Sequence, residues 1–140
     1  MLIKDSTVLI TGGRRVGRQL ASMLAERGAH VAMTYHSHPD PINKMVDTLR
    51  ANGHRALGIQ SDLRDPSQVE SALDNTYQTF GRIDILVNNA GVYKELALVP
   101  FPDQTLTPPS VTRSSKERMT DDEFRQIIDT NIGGVFYGCR

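Results

Sequence analysis

The feature that most constrains the fold is an alternation of two hydrophobic rhythms. Compact apolar runs rich in β-branched residues lie at 7–11, 30–35 and 83–88, with a weaker run at 55–60. Such runs are predicted strands. Between them the apolar spacing shifts to the helical period. Val16, Leu20, Met23 and Leu24 share one predicted face, as do Ile42, Met45, Val46 and Leu49, and then Val69, Leu73, Tyr77 and Phe80. All three stripes read as core packing. Asp40-Pro41 and Asp65-Pro66 each supply a predicted N-cap carboxylate before a proline, and Gly28, Gly53 and Gly81 stand where left-handed C-terminal caps belong. Strand and helix in strict alternation with short connections predict right-handed crossovers and an α/β fold, a parallel sheet with helices on both faces.

The rhythm stops after Gly91. Residues 100–115 hold four of the seven prolines and a Ser/Thr-rich stretch, so a long loop is expected across 92–118. Thr120 to Glu123 form a predicted capping box that opens a last helix, with Phe124, Ile127, Ile128 and Ile132 on one face.

A length of 140 residues fits one domain. The 16 basic residues cancel the 16 acidic ones, which argues against a nucleic-acid or membrane-surface partner. An anion site must therefore be local. The single cysteine, Cys139, cannot form an intrachain disulfide, and the N-terminal stretch lacks a signal-peptide pattern, so a cytoplasmic setting is expected. His36 and His38 have no evident third ligand, and no metal site is expected.

Local charge concentrates in one corner. The first strand runs into Thr11, Gly12, Gly13, Arg14, Arg15, Val16 and Gly17 before a helix begins. Glycines let the backbone approach a phosphate, and a helix N-terminus offers free N–H groups with partial positive charge. At the end of the second strand a dinucleotide fold reads the adenosine ribose: an acid holds a free 2′-hydroxyl, whereas a 2′-phosphate wants cations and hydroxyls. That end reads Thr34-Tyr35-His36-Ser37, without a carboxylate. Arg14, Arg15, His36 and Ser37 thus favour NADP over NAD. Asp62, after the third strand, reads equally as a turn residue, an N-cap or a ligand.

In this order the motifs resemble the short-chain dehydrogenase/reductase family: Thr11-Gly12 with Gly17, Asp62-Leu63 after the third strand, Asn88-Asn89-Ala90-Gly91 after the fourth, and Asn131 between Thr130 and Ile132. The resemblance implies a Rossmann-type doubly wound sheet, here truncated after the fourth strand and the following helix. It also implies that Asp62 and Leu63 lie near the adenine and that Asn88, Asn89, Ala90 and Gly91 line the cofactor. Asn131 matches the family asparagine that supports a proton-relay water beside the catalytic lysine. Carbonyl or alcohol substrates are implied, and a homo-oligomer where the full family architecture is present.

Two departures bear on function. The corner from Thr11 to Gly17 is one residue shorter than the family's T-G-x-x-x-G-x-G, and than the T-G-x-x-x-R-x-G of a pteridine-reductase-like subgroup; Arg15 matches the subgroup arginine only across a gap. No Tyr-x-x-x-Lys pair occurs in the chain, so the expected proton donor to the developing alkoxide is missing and the chain alone is expected to be inactive. The last helix and the outer edge of the fourth strand are expected to lack packing partners. Two readings follow: the cofactor-binding portion of an NADP-preferring oxidoreductase, or a non-catalytic module that binds a nucleotide or a partner subunit. A phospho-receiver domain lacks its acids here, and a methyltransferase lacks its ribose-binding acid. Ketones, 3-oxoacyl thioesters and pteridines all remain compatible as substrates.

Overall fold

Every residue of the first strand, β1 (Thr7–Thr11), is buried, and this is possible only for a strand paired on both edges and covered on both faces. In the computed structural model, which describes residues 2–93 and 119–140, β1 is followed by α1 (Val16–Glu26), β2 (His30–Tyr35), α2 (Asp40–Ala51), β3 (Ala56–Gln60), α3 (Pro66–Phe80) and β4 (Ile85–Asn88). A final helical segment consists of α4 (Asp121–Ile128), a π-helical turn (Asp129–Gly133) and α5 (Gly134–Cys139). The loop expected over 92–118 lies outside the described residues apart from Val92 and Tyr93.

The sheet order is β3-β2-β1-β4, all parallel, with Leu9 opposite Ala32 in β2 and Leu86 in β4. The chain winds outward from β1 to β3 and then crosses to the other side of β1. Side chains alternate along β1, so Val8 and Ile10 join Val31, Met33, Ile42, Val46 and Leu49 in a core under α1 and α2. Leu9 points the other way, with Ala32, Ile59 and Ala72 under α3. This is the expected doubly wound Rossmann-type architecture.

Two helix faces differ from the expected stripes. Gly17, Ala21 and Ala25 are the buried residues of α1, while Val16 and Met23 are exposed and Leu20 and Leu24 pack only at the margin. The reason is close approach: a Cβ at Gly17 would stand 2.3 Å from the carbonyl oxygen of Gly12, so α1 meets the sheet through its smallest side chains. In α3, Val69, Ala72 and Thr76 are buried and Tyr77 is exposed.

The ends of the helices follow the local chemistry with one exception. Asp65 caps α3 by accepting from the Ser67 amide at 2.9 Å, and Thr120 and Glu123 close a reciprocal capping box at α4. Gly28, Gly53 and Gly81 all take left-handed angles after their helices. Asp40 does not cap α2. It is already helical, Pro39 holds the cap position, and the Pro39 carbonyl accepts from the amides of Ile42 and Asn43.

Strand β4 begins two residues later than the apolar run at 83–88. Asp84 interrupts the run because its side chain accepts from the Thr7 amide at 2.8 Å while its own amide donates to the Thr7 carbonyl at 2.9 Å. The carboxylate is held below its usual range by Arg82, which also forms an ion pair with it, and by the Thr7 amide. Among the described strands β4 is an edge. On the final helical segment Phe124, Ile128 and Ile132 of the expected apolar face are exposed and Ile127 is half-buried, and Val135 and Phe136, outside that expected face, are exposed as well.

Leu9 is 2% exposed at the centre of the smaller core. Leu9→Ala is therefore expected to cost about 2–5 kcal/mol, read as a lower urea midpoint at unchanged slope. A loss under about 1 kcal/mol would contradict the packing described.

Candidate functional site

Where the chain crosses from β3 back to β4, the loops after β1 and β4 separate and leave a crevice at the carboxyl ends of the strands. It is a cleft of about 630 Å³. This is where ligands enter open α/β sheets. Its floor is the glycine corner.

Thr11 and Asn89 build that floor together. The Thr11 hydroxyl donates to the Val87 carbonyl at 3.4 Å and accepts from the amides of Asn89 and Ala90 at 3.1 and 3.3 Å. In return, the Asn89 side-chain amide donates to the carbonyl of Thr11 at 3.1 Å and to that of Gly12. The two loops are thereby latched in both directions. Gly12 has φ 72°, and a Cβ there would lie 2.7 Å from Ala90 Cα, so both its backbone angle and its surroundings require glycine. Thr34 completes the floor by accepting from the Gly12 amide at 3.1 Å through its hydroxyl and from the Gly13 amide at 3.1 Å through its carbonyl.

The short corner closes by a turn. The Gly17 amide donates to the Arg14 carbonyl at 3.3 Å, and Arg15 has φ 51° and ψ −109°, the angles of the first central residue in a type II′ turn. That position favours glycine. An arginine there is strained, and the turn puts Arg14 and Arg15 at the start of α1 on the rim of the cleft. Neither guanidinium forms a hydrogen bond or ion pair with any described residue.

On the opposite rim lie His36, Ser37 and the segment after β3. Ser37 Oγ is 2.9 Å from His38 Nδ1, and His36 Nε2 is 3.4 Å from Asp62 Oδ2. Asp62 is gripped by Arg64: Oδ1 accepts from the Arg64 amide at 3.0 Å and from Nε at 2.9 Å, and Oδ2 from Nη2 at 2.5 Å. These bonds, with a smaller contribution from His36, hold the Asp62 carboxyl down at about 2. Ser61, 2% exposed, borders the cleft with a buried hydroxyl that has no partner among the described residues. A buried hydroxyl in this position is suited to meet a polar ligand.

The cleft brings together Gly12, Gly13, Arg14, Arg15, Val16, His36, Ser37, Asp62, Leu63, Asn89, Ala90 and Gly91 of the residues singled out in the sequence. Thr11, Gly17 and Asn88 are not on its surface; Thr11 and Gly17 hold the floor from behind, and Asn88 donates to Cys139 Sγ at 3.5 Å. Asn131 lies in the π-helical turn and clasps the backbone of Val92, donating to its carbonyl and accepting from its amide, both at 2.8 Å. Sequence reasoning missed Thr34, Ser61, Arg64, Tyr93, Gln126 and Thr130, which also line the cleft. Arg64 alone had a local signal, an arginine two residues after an aspartate in a turn.

A Rossmann-type parallel sheet with a glycine corner at its switch point defines the class. A profile of the short chain dehydrogenases matches residues 6–140, and the chain belongs to that family of oxidoreductases. It is 32% identical over 133 residues to the 3-oxoacyl-(acyl-carrier-protein) reductase FabG of Staphylococcus epidermidis, covering 94% of this chain and 47% of the relative. FabG of Salmonella typhimurium is 36% identical over 137 residues, covering 97% and 47%. Among solved structures, a short chain dehydrogenase from Burkholderia cenocepacia in complex with NADP superposes with TM-score 0.81 at 31% identity, covering 99% of this chain and 49% of that one. A blue fluorescent protein from a metagenomic library, in complex with NADPH, gives 0.77 at 28% identity, covering 99% and 50%. The chain spans about half the length of the relatives it matches.

Two outcomes test this geometry. Arg15→Gly is expected to raise stability by about 1 kcal/mol, because relief of the turn strain exceeds the entropy cost of a glycine; a loss of stability would contradict the II′ geometry. Asp62 has a depressed folded-state value, so the stability it contributes relative to Asp62→Asn is complete above about pH 4 and declines as pH falls toward about 2. Urea titrations of both proteins across that range measure the difference, and a constant difference would refute the ion pair.

Proposed function

We propose that the chain is the cofactor-binding portion of an NADP-preferring short-chain oxidoreductase that acts on a small carbonyl or alcohol. The observation that carries this reading is the pair of arginines, unpartnered among the described residues, which share one cleft with His36 and Ser37 while β2 ends without an acid. The bound nicotinamide supplies or accepts the hydride. The first amides of α1, with Arg14 and Arg15, hold phosphate; His36 and Ser37 flank the adenosine 2′-phosphate, and Asp62 and Leu63 border the adenine.

Asn89, Ala90 and Gly91 line the nicotinamide side, with Asn88 behind them, bonded to Cys139. Asn131 is a positioning residue here, since it fixes the Val92 backbone at the end of that wall. An asparagine amide does not titrate, so it cannot replace a tyrosine and lysine as proton donor. The 140 residues contain no Tyr-x-x-x-Lys pair, and this chain by itself binds cofactor without appreciable turnover. Among carbonyls, the names of the relatives favour a 3-oxoacyl thioester. A cytoplasmic setting fits this chemistry, and no helix among the described residues is long and apolar enough to cross a membrane.

Titration with NADPH and NADH tests the reading. The unaltered chain is expected to bind NADPH more tightly. The double variant Arg14→Ala/Arg15→Ala is expected to lose about tenfold or more in NADPH affinity, as for a charge-assisted hydrogen bond, with NADH little changed. No NADPH binding at millimolar concentration by the folded chain would contradict the proposal.

A further inference from the structure

The end of the sheet opposite the cleft holds a cluster that the cofactor site does not use. His30 opens β2, and alternation along that strand puts it on the face of Ala32, under α3. Its ring stacks on that of Phe80, the last residue of α3, with centroids 5.6 Å apart and planes at 26°. Arg55, just before β3, spans the pair. Its guanidinium carbon lies 5.1 Å from the centroid of the Phe80 ring, Nη1 is 3.3 Å from His30 Nε2, and Nη2 donates to the Thr79 carbonyl at 3.0 Å.

The last turn of α3 contains no basic residue, and the Thr79 carbonyl is among the four that a helix end leaves without an intrahelical partner. Arg55 therefore supplies, from a different element, the cation that a helix C-terminus favours. A guanidinium only donates, so His30 Nε2 is the acceptor and the ring is neutral, with its proton on Nδ1. A proton added to Nε2 removes that acceptor and sets two cations against each other beside one aromatic ring. We propose that His30, Arg55 and Phe80 form a proton-sensitive clasp on the C-terminal end of α3: neutral His30 holds Arg55 on the Thr79 carbonyl, and protonation of Nε2 releases it.

The charged groups that act on His30 are Arg55 and Asp5, the latter in the segment before β1, while α3 meets it with the uncharged Phe80 ring. Burial and then Arg55 hold the imidazole below its ordinary value of 6.5, and Asp5 opposes them with a smaller effect. The folded chain thus resists a proton that the unfolded chain accepts. The clasp is closed above about pH 6.5 and opens as the pH falls below it.

NMR of the whole chain from about pH 8 to about pH 5, the range in which a histidine changes charge, tests the clasp. The His30 ring is expected to titrate below 6.5, and the Arg55 Nε signal and the amides of Thr79 to Gly81 to move with the same midpoint. Exchange protection of the Gly81 amide, which donates to the Tyr77 carbonyl, is expected to fall about two- to fivefold over that range, the size of an exposed cation–π contact. In His30→Gln, whose side chain keeps an acceptor but does not titrate, these changes are expected to vanish. In Arg55→Gln the His30 midpoint is expected to rise, because the opposing cation is gone.

A His30 midpoint at or above 6.5, amides at 79–81 that stay still while His30 titrates, or the same movement in His30→Gln overturns the clasp. If His30→Gln does not fold, Arg55→Gln decides: an unchanged His30 midpoint overturns the proposal and a raised one supports it.

Discussion

The latch between Thr11 and Asn89 is the constraint on which the site depends. Parallel pairing of β1 with β4 sets the two strands side by side, but it leaves the loops beyond them free to diverge. The Thr11 hydroxyl and the Asn89 amide exchange hydrogen bonds across that gap, so the loops separate only above them. Polar groups of this kind cost free energy when buried without partners, and here each of the two side chains satisfies more than one backbone group. The result is a cleft with a rigid floor at a fixed height above the sheet.

The rest of the site is arranged around that floor. Gly12 must be glycine because Ala90 passes directly over it, and Gly17 because α1 starts against the Gly12 carbonyl. The corner is one residue shorter than the common family pattern, and the chain meets the shortage with a tight turn that forces Arg15 into a conformation suited to glycine. Strain of this sort persists where the surrounding structure over-determines it, and it gathers at ligand sites. Across the cleft, the charge of Asp62 is already taken up by Arg64. The chain's neutral total charge therefore conceals a local surplus of cations beside the glycine corner.

Much of this was legible in the sequence. The alternation of rhythms located the strands and helices along the chain because a parallel strand buried on both faces has few sequence solutions, and Asp65, Thr120 and the three cap glycines announced helix ends through local chemistry. The errors came from close approach, which periodicity does not register: Gly17, Ala21 and Ala25 bury α1 better than Val16 and Met23 do, because the sheet is too near for larger residues. Asp84 shortened β4 by bonding Thr7 through its side chain, a contact 77 residues apart. The cleft residues recovered from motifs lie next to glycines or turns. Ser61, Gln126 and Thr130 were invisible because only the tertiary fold brings them to the same wall, and the proximity of Asp62 to His36 has the same origin.

The central claim is that one cleft, floored by this latch, receives an adenosine carrying a 2′-phosphate. Amide chemical-shift mapping with 2′,5′-ADP tests it most directly. The account predicts concentrated shifts at Arg15 to Arg18, His36, Ser37 and Asp62 to Arg64, with none at the opposite end of the sheet, where Arg55 lies over the Phe80 ring. Shifts absent from the glycine corner, or spread evenly over both ends, would contradict it.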